Sequence, residues 1–150
     1  MYHALARGAG RRYGARVDTL LRPRLFSLRE ANALVPMLQR TFVQVRAMRE
    51  ELLQAKAQLQ LSPKAPALQL RHDELEQQVA ATLRELIQLG IEVKAAEGLC
   101  DFRSKLAGRV VYLCWRFGEE RVDHFHELGT GLAGRKPLPA DGDFTGELLH

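Results

Sequence analysis

The chain changes its hydrophobic period once, at Gly90, and that switch limits what it can fold into. Before Gly90 apolar residues recur three and four apart; after it they alternate in twos. The first spacing lines one side of an α-helix, and the second lines one face of a strand. The expectation is an α+β unit in which a long antiparallel helical hairpin packs with a small antiparallel β-meander.

The hairpin has legible ends. Ser27-Leu-Arg-Glu30 has the form of a capping box, in which serine and glutamate satisfy each other's backbone N–H groups, and Phe26 stands where a staple residue packs onto the first turn. A stripe then runs through Leu28, Ala31, Val35, Leu38, Phe42 and Val45. It drifts to Met48, Leu52, Ala55 and Leu59, approaching a coiled-coil seam. Pro36 removes a donor inside this segment, so the first helix is expected to kink or break there. Ser62-Pro-Lys-Ala-Pro66 ends it. A second stripe follows through Leu68, Leu75, Val79, Leu83, Leu86 and Ile87, with acids early, Arg84 late and Gly90 just past the end. So short a connection implies antiparallel neighbours. Each helix has one apolar stripe, so the pair needs either the C-terminal module or a second copy of itself to finish its core, with another helical protein as the alternative partner. A homodimer through the hairpin is expected.

After Gly90, Ile91–Lys94 and Gly98–Phe102 read as short strands, and Arg109-Val-Val-Tyr-Leu-Cys-Trp-Arg116 as a strong one. Leu106-Ala-Gly108 reads as a hairpin turn, Phe117–Glu120 as another turn, and Val122–Leu128 as a further paired strand.

These segments carry a resemblance. Phe26-Ser-Leu-Arg-Glu-Ala-Asn-Ala-Leu-Val-Pro36, Gly90–Lys94, Gly98–Phe102, Val111–Trp115, Gly118-Glu119, His126-Glu-Leu128 and Gly131-Leu-Ala-Gly-Arg135 resemble, in order, a bacterial family of uncharacterised proteins, domain of unknown function 2203. The resemblance covers about residues 25 to 138. The family pattern carries proline at the position of Arg103 and an aromatic residue at that of His124. It implies no activity, because the family has none assigned.

A length of 150 residues suits one domain. The folded part is expected to span residues 25–138, split into a hairpin (25–90) and a meander with a glycine-rich loop (91–138), followed by a flexible tail at 139–150. Six of the 22 basic residues and one of the 18 acidic ones lie in residues 1–24. That basic leader, expected to be disordered, therefore carries +5 and the rest of the chain −1; it is read first as an extension without a role, and contact with nucleic acid is expected, if anywhere, only through it. No apolar run approaches the roughly 18 residues of a spanning helix. Arg7, Arg11, Arg12 and Arg16 interrupt any signal-peptide core. Two cysteines, Cys100 and Cys114, suit a reducing compartment, and the chain is expected to be cytoplasmic.

Residues with chemical potential all follow Gly90. Gly129-Thr-Gly-Leu-Ala-Gly134 matches G-x-G-x-x-G in letters, yet too little chain remains after it for a dinucleotide-binding βαβ unit. Its glycines are expected to make a tight loop, with a phosphate nest beside Arg135 and Lys136 as the alternative. Asp101, Cys114, His124, His126 and Glu127 include ligand and nucleophile types, with Asp101, Cys114 and His126 as the metal candidates. Register decides among them. If Arg116 stands opposite Arg121, Cys114 faces Asp123; a one-residue shift brings Cys114 beside His124 and Tyr112 beside His126, and that register alone makes a site. Trp115, Tyr112, Phe102 and Phe125 are read as core rather than as a base-stacking platform.

Two functions compete. The preferred one is a non-enzymatic, self-associating interaction module. The alternative is a small-ligand or metal-binding protein, with hydrolytic chemistry conceivable, whose site comprises Cys114, His126, Glu127, Gly131, Gly134 and Arg135. In the bland version of that cluster His126 bonds backbone and Glu127 pairs with Arg135. No cofactor is indicated.

Overall fold

The structure is a computed structural model that describes residues 24–146. Helix α1 spans Leu28–Leu61 and α2 spans Pro66–Gln88. The strands are β1 (Glu92–Ala95), β2 (Leu99–Leu106), β3 (Arg109–Arg116), β4 (His124–Glu127), β5 (Lys136–Pro137) and β6 (Phe144–Thr145). The architecture is α+β, a helical hairpin against an antiparallel meander running β1 to β5 in order. Among the described residues no helix is long and apolar enough to cross a membrane. The leader lies outside the described residues except for Arg24, which belongs to the folded unit. Arg24 pairs with Glu30 at 3.1 Å, stacks over Phe26 and donates to the Leu89 carbonyl.

The capping box forms: the Ser27 hydroxyl accepts from Glu30 N–H at 3.1 Å and the Glu30 carboxylate accepts from Ser27 N–H at 3.0 Å. The Ser27 backbone donor, and after it the Arg24 guanidinium, hold the Glu30 carboxyl below its ordinary pKa against the effect of burial. Of the two outcomes open at Pro36, a break does not occur: α1 continues through it for 34 residues. Ala31, Val35, Leu38 and Phe42 are all buried around that proline, so the packed face holds the helix across the missing bond. At the far end of α2, Ile91 N–H bonds the Leu86 carbonyl and Gly90 N–H the Ile87 carbonyl, a Schellman closure that brings buried Ile91 onto buried Leu86.

One face of the sheet lies under the helices. Cys100, Phe102 and Leu106 of β2, Val111, Leu113 and Trp115 of β3, and Phe125 of β4 join the α1 stripe and Leu86 in one core. The other face carries Glu92, Asp101, Arg103, Tyr112, Cys114, His124 and His126, by the pairing register. Tyr112 is buried as expected of the aromatics, but on this outer face, while Trp115, Phe102 and Phe125 join the core under the helices.

The segment expected as a tail returns to the sheet: Phe144 pairs with Leu106 and Thr145 with Lys105, and Phe144 is buried against Phe125. The cause is that β1 covers only the first half of β2, leaving its second half as an open edge that a short strand can complete.

The β2–β3 connection is a two-residue turn, because Leu106 pairs directly with Arg109. Both Ala107 (φ 51°) and Gly108 (φ 79°) adopt positive φ, as a type I′ turn requires. Alanine in that region is strained by about 1 kcal/mol. Ala107→Gly is therefore expected to raise the unfolding free energy by about 0.5–1 kcal/mol, measured by urea denaturation; a loss would contradict the strain.

Candidate functional site on the outer face of the sheet

The register settles the question that the sequence leaves open. Cys114 stands opposite His124, Tyr112 opposite His126, and on the other side Asp101 stands opposite Cys114. This is the site-forming arrangement. Asp101, Cys114 and His126 are 3%, 1% and 3% exposed, three polar groups buried on three adjacent strands. Their donor atoms lie within 4.8 Å of one another.

Two contacts fix the orientation of the His126 ring. Its Nδ1 is 2.9 Å from the Glu127 carbonyl, which can only accept, so Nδ1 carries hydrogen. Its Nε2 is 3.0 Å from Asp101 Oδ2. With Nδ1 turned to that carbonyl, Nε2 faces the Asp101 carboxyl. Burial pushes the Asp101 carboxyl above its ordinary pKa, against the pull of His126. Asp101 Oδ1 is buried without a hydrogen-bond partner.

Burial also pushes the Cys114 thiol up to about 11, with Arg135 pulling the other way. A thiol so raised and so enclosed is protonated at neutral pH, which is the opposite of an activated nucleophile. Cys100, on the core face, is pushed up by burial as well.

The other residues of the expected cluster divide. Gly131–Gly134 forms a short 3₁₀ turn, and a side chain at Gly134 would collide with that of Thr130, so the loop is as tight as expected. That turn aims Arg135 back across the sheet, where it donates to the Cys114 carbonyl at 3.3 Å and to the Glu119 carboxylate. Arg135 is thus committed to protein acceptors, which removes the main cation of the phosphate-nest alternative. Glu127 does not pair with Arg135. Its carboxylate takes a bidentate bond from Arg109 at the exposed edge of β3, and only its backbone carbonyl enters the cluster. The reason is register: Glu127 stands opposite Val111, two residues along β3 from Arg109 and on the face away from Cys114. His124 turns from Cys114 toward Glu119, with Nδ1 3.5 Å from Oε2.

Two acids that sequence reasoning leaves in turns and edges prove central. The Glu119 carboxylate accepts from Arg116 N–H at 2.6 Å and from Arg135, while its carbonyl accepts from Trp115 Nε1 and Gln39 Nε2. The only sequence signal for it is its place in the Gly118-Glu119 segment of the family resemblance. Glu92 gathers Arg103, Lys94 and Tyr112. Burial pushes its carboxyl up, but these donors outweigh burial and hold it below the ordinary range. Tyr112 lies over His126, ring centroids 5.2 Å apart, and the Arg103 guanidinium lies over Tyr112. The buried trio is therefore roofed by an ion-paired layer rather than open to solvent.

Fold and site together define a small α+β protein with a helical hairpin on one side of its sheet and an enclosed Asp–Cys–His cluster on the other. The chain belongs to the family described as uncharacterized conserved protein (DUF2203), which it matches over residues 24–138. Neither the curated proteins nor the solved structures give a match.

Proposed function

We propose that the protein is a self-associating module that pairs through the outer half of its hairpin, either with a second copy or with helices of similar pattern. One observation carries this reading. From Glu50 through Gln78, both helices together bury only Ala55 and Leu75. Met48, Leu52, Leu59 and Leu68 stay half-buried along the seam, and Leu53, Leu61 and Leu70 are exposed. Close to the sheet, by contrast, the same α1 stripe is buried continuously from Ala31 to Val45. The sheet completes the core for one half of the hairpin, and a second hairpin laid alongside would complete it for the other as a four-helix bundle. Arg71 bonds Glu51 across the two helices at 2.6 Å on their exposed side and does not cover the seam. A bundle of this kind would make the seam a coiled-coil-like interface.

Hydrolytic chemistry gains no such support, since the thiol is enclosed and protonated.

Sedimentation or light scattering at tens of micromolar is expected to show a dimer. Leu53→Glu with Leu70→Glu is expected to weaken association at least tenfold, because each leucine buries about 1.5–3 kcal/mol of apolar surface in a bundle. Those leucines are 62% and 61% exposed in the single chain, so its far-ultraviolet helical signal should persist. A strict monomer at that concentration defeats the proposal.

A further inference from the structure

We propose that Asp101, Cys114 and His126 form a closed binding site for a borderline divalent cation of the zinc type, which ties β2, β3 and β4 together. The inference is independent of the hairpin. The three side chains come from three adjacent strands, share the face opposite the helices and bring a thiol, an imidazole and a carboxylate within 4.8 Å of one another. Sulfur, nitrogen and oxygen donors in this mixture suit zinc or cobalt, whereas magnesium and calcium take oxygen alone.

Three further features match a metal centre. The first is the orientation of His126. Ligating histidines fix their second nitrogen on a backbone carbonyl or carboxylate, and His126 Nδ1–H donates to the Glu127 carbonyl at 2.9 Å, leaving Nε2 directed into the cluster. The second is spacing. Nε2 and Asp101 Oδ2 are 3.0 Å apart, about the separation of two ligands each roughly 2.0–2.2 Å from one ion. The third is Asp101 Oδ1, which is buried without a partner at hydrogen-bond geometry, the Cys114 thiol being the polar group that the Asp101 carboxyl faces besides His126. Native folds seldom leave such an atom unsatisfied. A bound metal would give that oxygen a partner beside the three donors that the cluster brings together.

Charge balances too. A divalent ion, a thiolate and a carboxylate sum to zero beside a neutral imidazole. The nearest cation, Arg135, is offset by Glu119. Lys94, which acts on Asp101 from the neighbouring strand, is offset by Glu92 at 3.1 Å. The layer of Tyr112, Arg103 and Glu92 over the cluster leaves no way in for substrate, so the site holds the sheet rather than catalyses.

The full chain, purified under thiol reductant without a histidine tag, is titrated with cobalt(II) and then with zinc. Saturation at one equivalent is expected, with a near-ultraviolet thiolate-to-cobalt charge-transfer band that zinc displaces. Zinc at about a hundredfold above its Kd should raise Tm by several degrees, and a chelator should reverse the gain. Cys114→Ser should abolish the band. Asp101→Asn should weaken cobalt binding at least about 100-fold, beyond the 10–100-fold that loss of an outer partner costs. Cys100→Ser, on the core face, should keep the band. The exposed group His72, Asp73 and Glu76 contains no sulfur, so any cobalt it takes up gives no such band. Absence of the band from the wild-type titration overturns the proposal, even where Cys114→Ser fails to fold. Persistence of the band in Cys114→Ser overturns it as well.

Discussion

His126→Ala, assayed in the presence of chelator, is expected to lower the unfolding free energy by about 3–5 kcal/mol. The imidazole is buried between the Glu127 carbonyl and the Asp101 carboxylate, and its removal leaves Asp101 with neither of its oxygens bonded by that ring. An isolated carboxyl group at 3% exposure has no water to replace the lost partner. The cost is thus mainly that of the stranded partner, and the second half of a mutant cycle exposes this. Asp101→Ala with His126→Ala should cost clearly less than the two single changes added together, because the double variant strands nothing. Glu127→Ala serves as the contrast. Its carboxylate reaches only Arg109 at the solvent-exposed edge, so a small loss is expected although the residue adjoins His126 in sequence. Guanidinium denaturation measures the wild type and all four variants. Equal losses for His126→Ala and Glu127→Ala would show that the pair does not behave as a buried unit.

That contrast also shows what was legible in the sequence. The hairpin, its capping box and the change of period at Gly90 depend on residues close together along the chain, where spacing alone places a side chain. The family resemblance and the α+β class were legible for the same reason. The cluster depended on register, and a one-residue slip along β4 exchanges its two faces. Sequence could state the two alternatives and the consequence of each, but the choice between them is made by the tight Phe117–Gly118 turn, the long Glu119–Asp123 connection and the packing of Phe125 into the core. Pairings between long side chains were least legible. Arg135 reaches Glu119 rather than Glu127 because the glycine-rich turn folds back over β4, and no local pattern encodes that direction. The strand at Phe144 was missed because two residues give no period; it is specified by the open half of β2, a property of the assembled sheet.

Trp115→Ala is expected to remove about 3–5 kcal/mol, and its smaller relative Trp115→Phe reveals how the two faces of the sheet are joined. Trp115 is fully buried, packs on Phe42 of α1 and meets Phe117 edge-on. Truncation to alanine opens a cavity at the junction of helix and sheet that neither neighbour can fill without leaving its own contacts. Its Nε1–H also donates to the Glu119 carbonyl at 3.0 Å, and Gln39 of α1 donates to the same oxygen at 2.8 Å. Trp115→Phe keeps most of the ring and deletes the donor, so the loss should fall to about 1–2 kcal/mol, with Gln39 still serving the carbonyl. Gln39→Ala alone should cost less for the symmetrical reason. Combined, the two leave a part-buried carbonyl with no donor, and the cost should exceed the sum of the singles by about 1 kcal/mol. The excess reports more than stability. Glu119 is the residue whose carboxylate pins Arg135 against the Cys114 strand, so freeing its backbone loosens the roof of the cluster from the helical side. Faster reaction of Cys114 with a thiol reagent in the double variant, under conditions where both singles remain protected, would show that helix packing and cluster enclosure are one mechanical unit. Equal protection in all four proteins would show that the two faces are independent.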